Sequence, residues 1–364
     1  MTTTIDHLPS RTIRIDGKER LFFSGTSYLG MGHQPDFRAA LMEGISRYGT
    51  IFSASRNNNL QLKIYDEAED FIANWTGAEA SLTVSSGFAA GQLATQSLGN
   101  QKFIYAPSAH PAIWRPEHTP QYNFENYADF AKKVVVLTEQ SSEPIVIAAN
   151  VVDHLHLEFY DFSWVKNLPS DKPITLLFDE SHGIGITYTE GGGIFSKIKK
   201  WLVGKPNITL IVIASLAKAV GIPGGVILSD KKTIAAIRQN PLFVGASPIV
   251  PAYLFAFLNA QQTYADARSI LSKNIEQFRM HIETLPHLGA QFLPDYPVFF
   301  IEKQGIFEYL FEKNIMISSF AYPKPNDPPI TRIILSALHT EGDIALLCEK
   351  LNASDRITRD RITR

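Results

Sequence analysis

The sequence predicts an α/β fold: a large domain on a mostly parallel, doubly wound seven-stranded sheet, with a smaller α+β domain. Three observations lead there. From Ser81 onward the chain repeats a pattern of β-formers, a small-residue turn and a helical stretch, with further β-runs at Lys102–Tyr105, Val134–Leu137, Pro144–Val152, Ile174–Phe178, Ile208–Ala214 and Gly225–Leu228. Two of these runs stop abruptly at chemistry-bearing residues, Asp179 and the Ser215–Lys218 segment. After Pro251 the pattern turns helical, and only short strands follow.

Taken in order, Ile13 to Phe23 reads as two alternating runs around Asp16-Gly17, a hairpin signal. A Gly-rich loop, SGTSYLGMGHQP, leads to a helical run from Pro35 to Tyr48. Gly49 to Leu60 is Ser- and Asn-rich and reads as irregular loop. Ile64, Ala68, Phe71, Ile72 and Trp75 have helical spacing, closed by Gly77. SLTVSSGFAAG then runs from a strand through small residues into a helix N-terminus, a natural place for an anion, although such turns are common. In the last third, 3.6-residue periodicity over Tyr253–Leu285 predicts a long helix, followed by strands at Val298–Glu302 and Arg332–Leu335 and a helix at Thr340–Leu351. The expected division is 1–48 (hairpin and linker helix, part of the small domain), 49–250 (large domain) and 251–364 (C-terminal small domain). The tail repeats DRITR twice and reads as a frayed end.

Bulk properties narrow the class. With 364 residues, 45% hydrophobic residues and a formal net charge of -2, the chain can bury a sizeable core. That charge argues against nucleic acid or a polybasic membrane contact as its main business. The single cysteine, Cys348, excludes an intrachain disulfide and a cysteine zinc cluster. The opening residues lack the apolar core of a signal peptide and no apolar run is long enough to span a bilayer, so a soluble globular protein is expected, and the lone cysteine fits a reducing cytoplasm.

In open parallel sheets ligands gather outside the carboxyl ends of the strands, where Asp179, His182, Ser215 and Lys218 fall. A Lys just past a buried strand loses amine pKa to desolvation and becomes a nucleophile for aldehydes. An Asp that can pair with a pyridinium nitrogen, together with a Lys that can form a Schiff base, is what a pyridoxal phosphate (PLP) site needs. Each residue also has a plainer reading: Lys218 as a surface loop residue, Asp179 and Ser215 as helix caps, His182 and His110 as structural or loop histidines. Arg332, a cation in an apolar strand, calls for an internal carboxylate or a carboxylate substrate. No G-x-G-x-x-G opens the first strand–helix turn, which disfavours a dinucleotide fold.

Six segments in register, from about Thr12 to Leu351, resemble motifs of the α-oxoamine synthases, fold-type-I PLP enzymes that condense an amino acid with an acyl-CoA: YLGMGHQP, SSGFAAG, AHPAI, DESHGIG, ASLAKAVG and SALHT. The resemblance implies that Lys218 carries the cofactor and moves the α-proton, and that Asp179 faces the ring nitrogen. His182 would contact the phenolic oxygen and His110 would stack on the ring. Ser86, Gly87, Phe88 and Ser215 would hold the phosphate, with Ser247 arriving from a second subunit of a homodimer, and Arg332 with Thr26 would take the substrate carboxylate. The chain departs from the family pattern at Thr26 (usually Asn), Ala106 and Ala109 (usually Asp and Asn), Asp153 (usually Ser) and Ile330 (usually Arg). The implied reaction joins a small amino acid to an acyl-CoA or acyl-carrier thioester with decarboxylation. Aminotransfer on the same fold and a non-catalytic PLP-binding protein are the alternatives.

Overall fold

The structure, a computed structural model, describes residues 4–116, 124–153, 157–321, 324 and 326–355. The strands are β1 (Thr12–Ile15), β2 (Lys18–Phe23), β3 (Ala80–Val84), β4 (Lys102–Tyr105), β5 (Ile145–Asn150), β6 (Val152–Asp153), β7 (Glu158–Phe159), β8 (Ile174–Asp179), β9 (Ile208–Ser215), β10 (Gly225–Ser229), β11 (Ala290–Phe292), β12 (Val298–Ile301), β13 (Ile315–Ala321) and β14 (Pro329–Ile334). The α-helices are α1 (Pro35–Tyr48), α2 (Lys63–Thr76), α3 (Gly87–Ser97), α4 (Tyr127–Gln140), α5 (Phe195–Trp201), α6 (Lys231–Arg238), α7 (Pro241–Gly245), α8 (Pro251–Asn259), α9 (Gln261–Ile282), α10 (Ile306–Glu312) and α11 (Glu341–Ala353). The chain divides into two compact units: one takes the N-terminal segment up to Gln34 and the chain from Gln262, the other Pro35–Asp153 and Glu158–Gln261.

The larger unit holds a sheet in the order β3-β10-β9-β8-β5-β4. β4, β5, β8 and β9 run parallel to one another, while β10 is antiparallel to both β3 and β9, so the sheet is mixed. Every residue of β5 and β8 is buried, as parallel strands covered on both faces require. Their apolar runs show no alternation for this reason. Among the described residues the sheet has six strands, one fewer than expected. The difference is Val134–Leu137, which lies inside α4. There Tyr127, Phe130, Val134 and Thr138 form one buried stripe, Val136 and Leu137 are exposed, and Asn126 caps the helix by accepting from the Asp129 amide. Helical packing of that stripe overrides the β-propensity of three successive valines.

The smaller unit carries a second sheet, β1-β2-β13-β14-β12-β11. Asp16 and Gly17 have φ of 51° and 73°, the left-handed pair that a two-residue hairpin needs, and β1 pairs with β2 as expected. β2 then runs parallel to β13, which stitches the N-terminal hairpin to C-terminal strands. The helical stretch after Pro251 is two helices, not one. At the break, Asn259 turns its amide back to the Phe255 carbonyl and Gln261 does the same to Phe257, while Ala260 leaves helical geometry. The closing helix α11 has a reciprocal capping box between Thr340 and Asp343, and Arg11 from before β1 donates to the Asp343 carboxylate at 2.7 Å. Of the duplicated DRITR segment, only Asp355 is among the described residues.

Candidate active site

Three parallel strands of the larger unit end in polar residues at one edge of the sheet: Asn150 on β5, Asp179 on β8 and Ser215 on β9. Asn150 and Asp179 are register partners. Asp179 is buried; its Oδ1 accepts the Ser181 amide at 2.9 Å and its Oδ2 lies 3.9 Å from His110 Nδ1. That last contact is not a charged pair. His110 Nδ1 already accepts the Ala112 amide at 3.1 Å, which leaves the ring proton on Nε2. Burial holds the His110 pKa below its ordinary value, against the opposing pull of Asp179.

Lys218 stands in the turn after β9, half-buried, with its Nζ 2.8 Å from His182 Nε2. Burial lowers the pKa of its amine, and Asp179 partly opposes the shift. A lysine so placed carries a larger neutral, nucleophilic fraction than a solvated one. Ser215 is not a helix cap, since a turn follows it; its amide donates to Ser181 Oγ at 2.9 Å and its own Oγ accepts from Ala217 at 3.3 Å.

Beside Ser215 begins α3. Ser86 is its N-cap, accepting the Ala89 amide at 3.0 Å, and Gly87 and Phe88 open its first turn, where backbone amides lack helical acceptors. A Cβ on Gly87 would fall 2.5 Å from Ser215 Cβ, and one on Gly225 would fall 2.2 Å from the Ser86 carbonyl oxygen. Gly87 is therefore required for the close approach of the helix start to the β9 end, and Gly225 for its approach to the start of β10. A partly desolvated amine, a buried carboxylate and a helix N-terminus are the donor set that PLP needs for its aldehyde, ring nitrogen and phosphate, and they fit that group.

Several residues of this neighbourhood went unread in the sequence. Asn150 binds the loop of His110 from both sides, and Ser181 links the β8 and β9 ends. Glu180 is buried with both carboxylate oxygens at the Ile194 amide, 2.8 and 2.7 Å away, and burial pushes its pKa up to about 8. A polar residue closing an apolar run was the only signal for Asn150. Asp153 is buried and accepts the Tyr160 hydroxyl at 2.8 Å; Tyr160 in turn stacks on Tyr127 with ring centroids 3.7 Å apart. The neighbouring 154–156 lie outside the described residues.

Ser247 is exposed, two residues past α7. Thr26 and Arg332 belong to the smaller unit. Thr26 is half-buried in the loop after β2. Arg332 is buried on β14 with its guanidinium 4.9 Å from the Phe320 ring centroid, and burial lowers its pKa. Around them, Ser24 and Ser318 share a hydrogen bond at 2.6 Å and the Ala337 amide donates to the Tyr28 carbonyl at 2.8 Å.

Comparison with known proteins matches the model of the aminotransferase class I and II family over residues 23–351. The chain belongs to that family. Relatives include the 8-amino-7-oxononanoate synthases of Erwinia tasmaniensis (27% identical) and Petrotoga mobilis (24%), each alignment covering 95% of this chain and 91% of the relative. Among solved structures, SPT with its PLP internal aldimine superposes with a TM-score of 0.81 at 18% identity, covering 98% of this chain and 92% of that one. Sphingomonas wittichii serine palmitoyltransferase gives 0.80 at 19% identity over the same shares. This family member has the fold of the type I PLP-dependent transferases, and the SPT structure it superposes on holds PLP. Among the described residues no helix is long and apolar enough to cross a membrane.

Proposed function

We propose that this transferase condenses a small amino acid with an acyl thioester and releases carbon dioxide, as an 8-amino-7-oxononanoate synthase does. The observation that carries the chemistry is the Lys218 amine, its pKa lowered by burial, held at hydrogen-bond distance from His182. The full-length similarity to 8-amino-7-oxononanoate synthases supports the substrate class; condensations of the glycine C-acetyltransferase and autoinducer-synthase type are the close rival reactions.

PLP, when bound, supplies an aldehyde for an imine link and a ring that withdraws the charge left by proton removal. The residues do the rest. Lys218 Nζ accepts the α-proton of the amino acid, and its partner His182 Nε2 steadies the amine and shares a proton with it. The Asp179 carboxylate, fixed by the Ser181 amide, favours a positive ring nitrogen. Ser86, Gly87 and Phe88 at the start of α3, with Ser215, receive the phosphate. His110, as the neutral Nε2–H tautomer, lies against the ring without adding charge. Arg332 and Thr26 take the substrate carboxylate, and Ser247 serves the site of a second subunit in a cytoplasmic homodimer.

The test is release of labelled carbon dioxide from carboxyl-labelled glycine, alanine or serine. Release that requires an acyl-CoA or acyl-carrier thioester supports condensation. Because the family also includes aminotransferases, the second reading is transamination. It gives conversion of the cofactor to its amine form with any amino acid, retention of the label and no need for a thioester.

A further inference from the structure

We infer that Asn150 is the positioning residue that sets the His110 ring in the site. The inference rests on the PLP site proposed above. In the loop from Ala106 to His110 the Ala106 and Ala109 side chains are only methyl groups, the Ala109 carbonyl accepts from Trp114 Nε1 at 2.7 Å, and Ser108 between them is held at a φ of 58°. A non-glycine residue in that region is strained, so surrounding contacts must hold it. Asn150 provides them. Its Nδ2 donates to the Ser108 carbonyl at 2.7 Å and its Oδ1 accepts the His110 amide at 3.0 Å, so one buried side chain brackets the strained residue.

The bracket controls the ring through the next step of the chain. With the His110 amide fixed, the residue caps the short helix at Pro111–Ile113, and its Nδ1 accepts the Ala112 amide at 3.1 Å. That bond selects the tautomer and aims the ring edge at Asp179, 3.9 Å away. Asn150 can do this because it ends β5 directly beside Asp179 on β8, so both side chains emerge from the same strand ends. The Tyr160 hydroxyl, 3.4 Å from the Pro107 carbonyl, is a weaker contact on the loop, and Trp114 Nε1 holds the Ala109 carbonyl; neither touches Ser108 or the His110 amide. Neither Asp nor Ser reproduces the clamp: an ionised Asp has no donor and Ser reaches one end at most.

The experiment compares the full chain with its Asn150→Ala and Asn150→Ser variants. It reads the 15N ring shifts of His110 and the visible circular dichroism of added PLP. Expected for the natural chain is one Nε2–H tautomer and a strong cofactor band. In Asn150→Ala, both tautomers should be populated and the dichroic band should fall at least about twofold, while borohydride still fixes PLP on Lys218. Asn150→Ser, which should lose less, is the measurement to use if the alanine variant does not fold. Natural ring shifts with an undiminished band in either folded variant would overturn the inference. Neither signal uses a thioester, so failure of the condensation reading would leave this test intact.

Discussion

At the residue scale, a few side chains owe their chemistry to their surroundings. Lys218 is reactive because burial works against its positive charge, and His182 at 2.8 Å keeps the amine in place. Lys218→Ala should abolish borohydride-reducible attachment of PLP, read by mass spectrometry; an adduct persisting on another lysine would sink the assignment. Arg332→Ala should raise the KM for the amino acid about tenfold or more, the size of a lost charge-assisted pair, while PLP affinity stays within about twofold. Gly87→Ala should do the reverse and weaken PLP binding, because the new methyl collides with Ser215. The placement of Asp179, His182 and Lys218 at or just past the carboxyl ends of buried strands could be read from the sequence, because apolar β-runs stop there. The role of Asn150 could not, since its importance lies in two backbone groups forty or so residues away that only the fold brings to it.

At the scale of elements, local pattern and tertiary packing mostly agree. The hairpin around Asp16-Gly17, the helix from Pro35 to Tyr48 and the glycine stop at Gly77 follow from turn chemistry and periodicity, and all three formed as read. Val134–Leu137 did not. A run of β-branched residues carries no period by itself, and the deciding residues, Asn126, Tyr127 and Phe130, lie upstream of it. The helical register gives a sharp expectation: Val134→Ala should cost about 2 kcal/mol of stability, and Val136→Ala less than about 0.5 kcal/mol. Equal costs in urea melts would argue against this packing of α4. β13 escaped notice because its alternation is interrupted by Ser318 and Ser319, and its place in the sheet comes from pairing with β2 and β14.

At the scale of the whole molecule, two buried titratable groups tilt stability with pH in opposite directions. His339 stacks on Phe23, accepts the Ser336 amide on Nδ1 and donates from Nε2 to the Phe22 carbonyl, and burial lowers its pKa to about 4. The folded chain therefore resists a proton that the unfolded chain takes up. Stability from this group is complete above the unfolded value of about 6.5 and is lost as pH falls through about 4, up to about 3 kcal/mol. Glu180 behaves oppositely. With its folded pKa raised to about 8, its contribution is complete below the ordinary carboxylate value and is lost as pH rises through about 8. Glu180→Gln should remove a loss of melting temperature that otherwise accumulates between about pH 4.5 and about pH 8, and leave the curve below that window unchanged; an unaltered slope within it would contradict this reading of Glu180.

In the proposed reaction this chain uses Lys218 to join an amino acid to an acyl thioester. The most direct measurement is release of free thiol by the PLP-loaded protein, with glycine, alanine or serine offered against acyl-CoAs of increasing length. Thiol release that requires one amino acid and disappears in Lys218→Ala is the expected result. Release that persists without an amino acid or without Lys218, or no release with any CoA or acyl-carrier thioester, would contradict the claim.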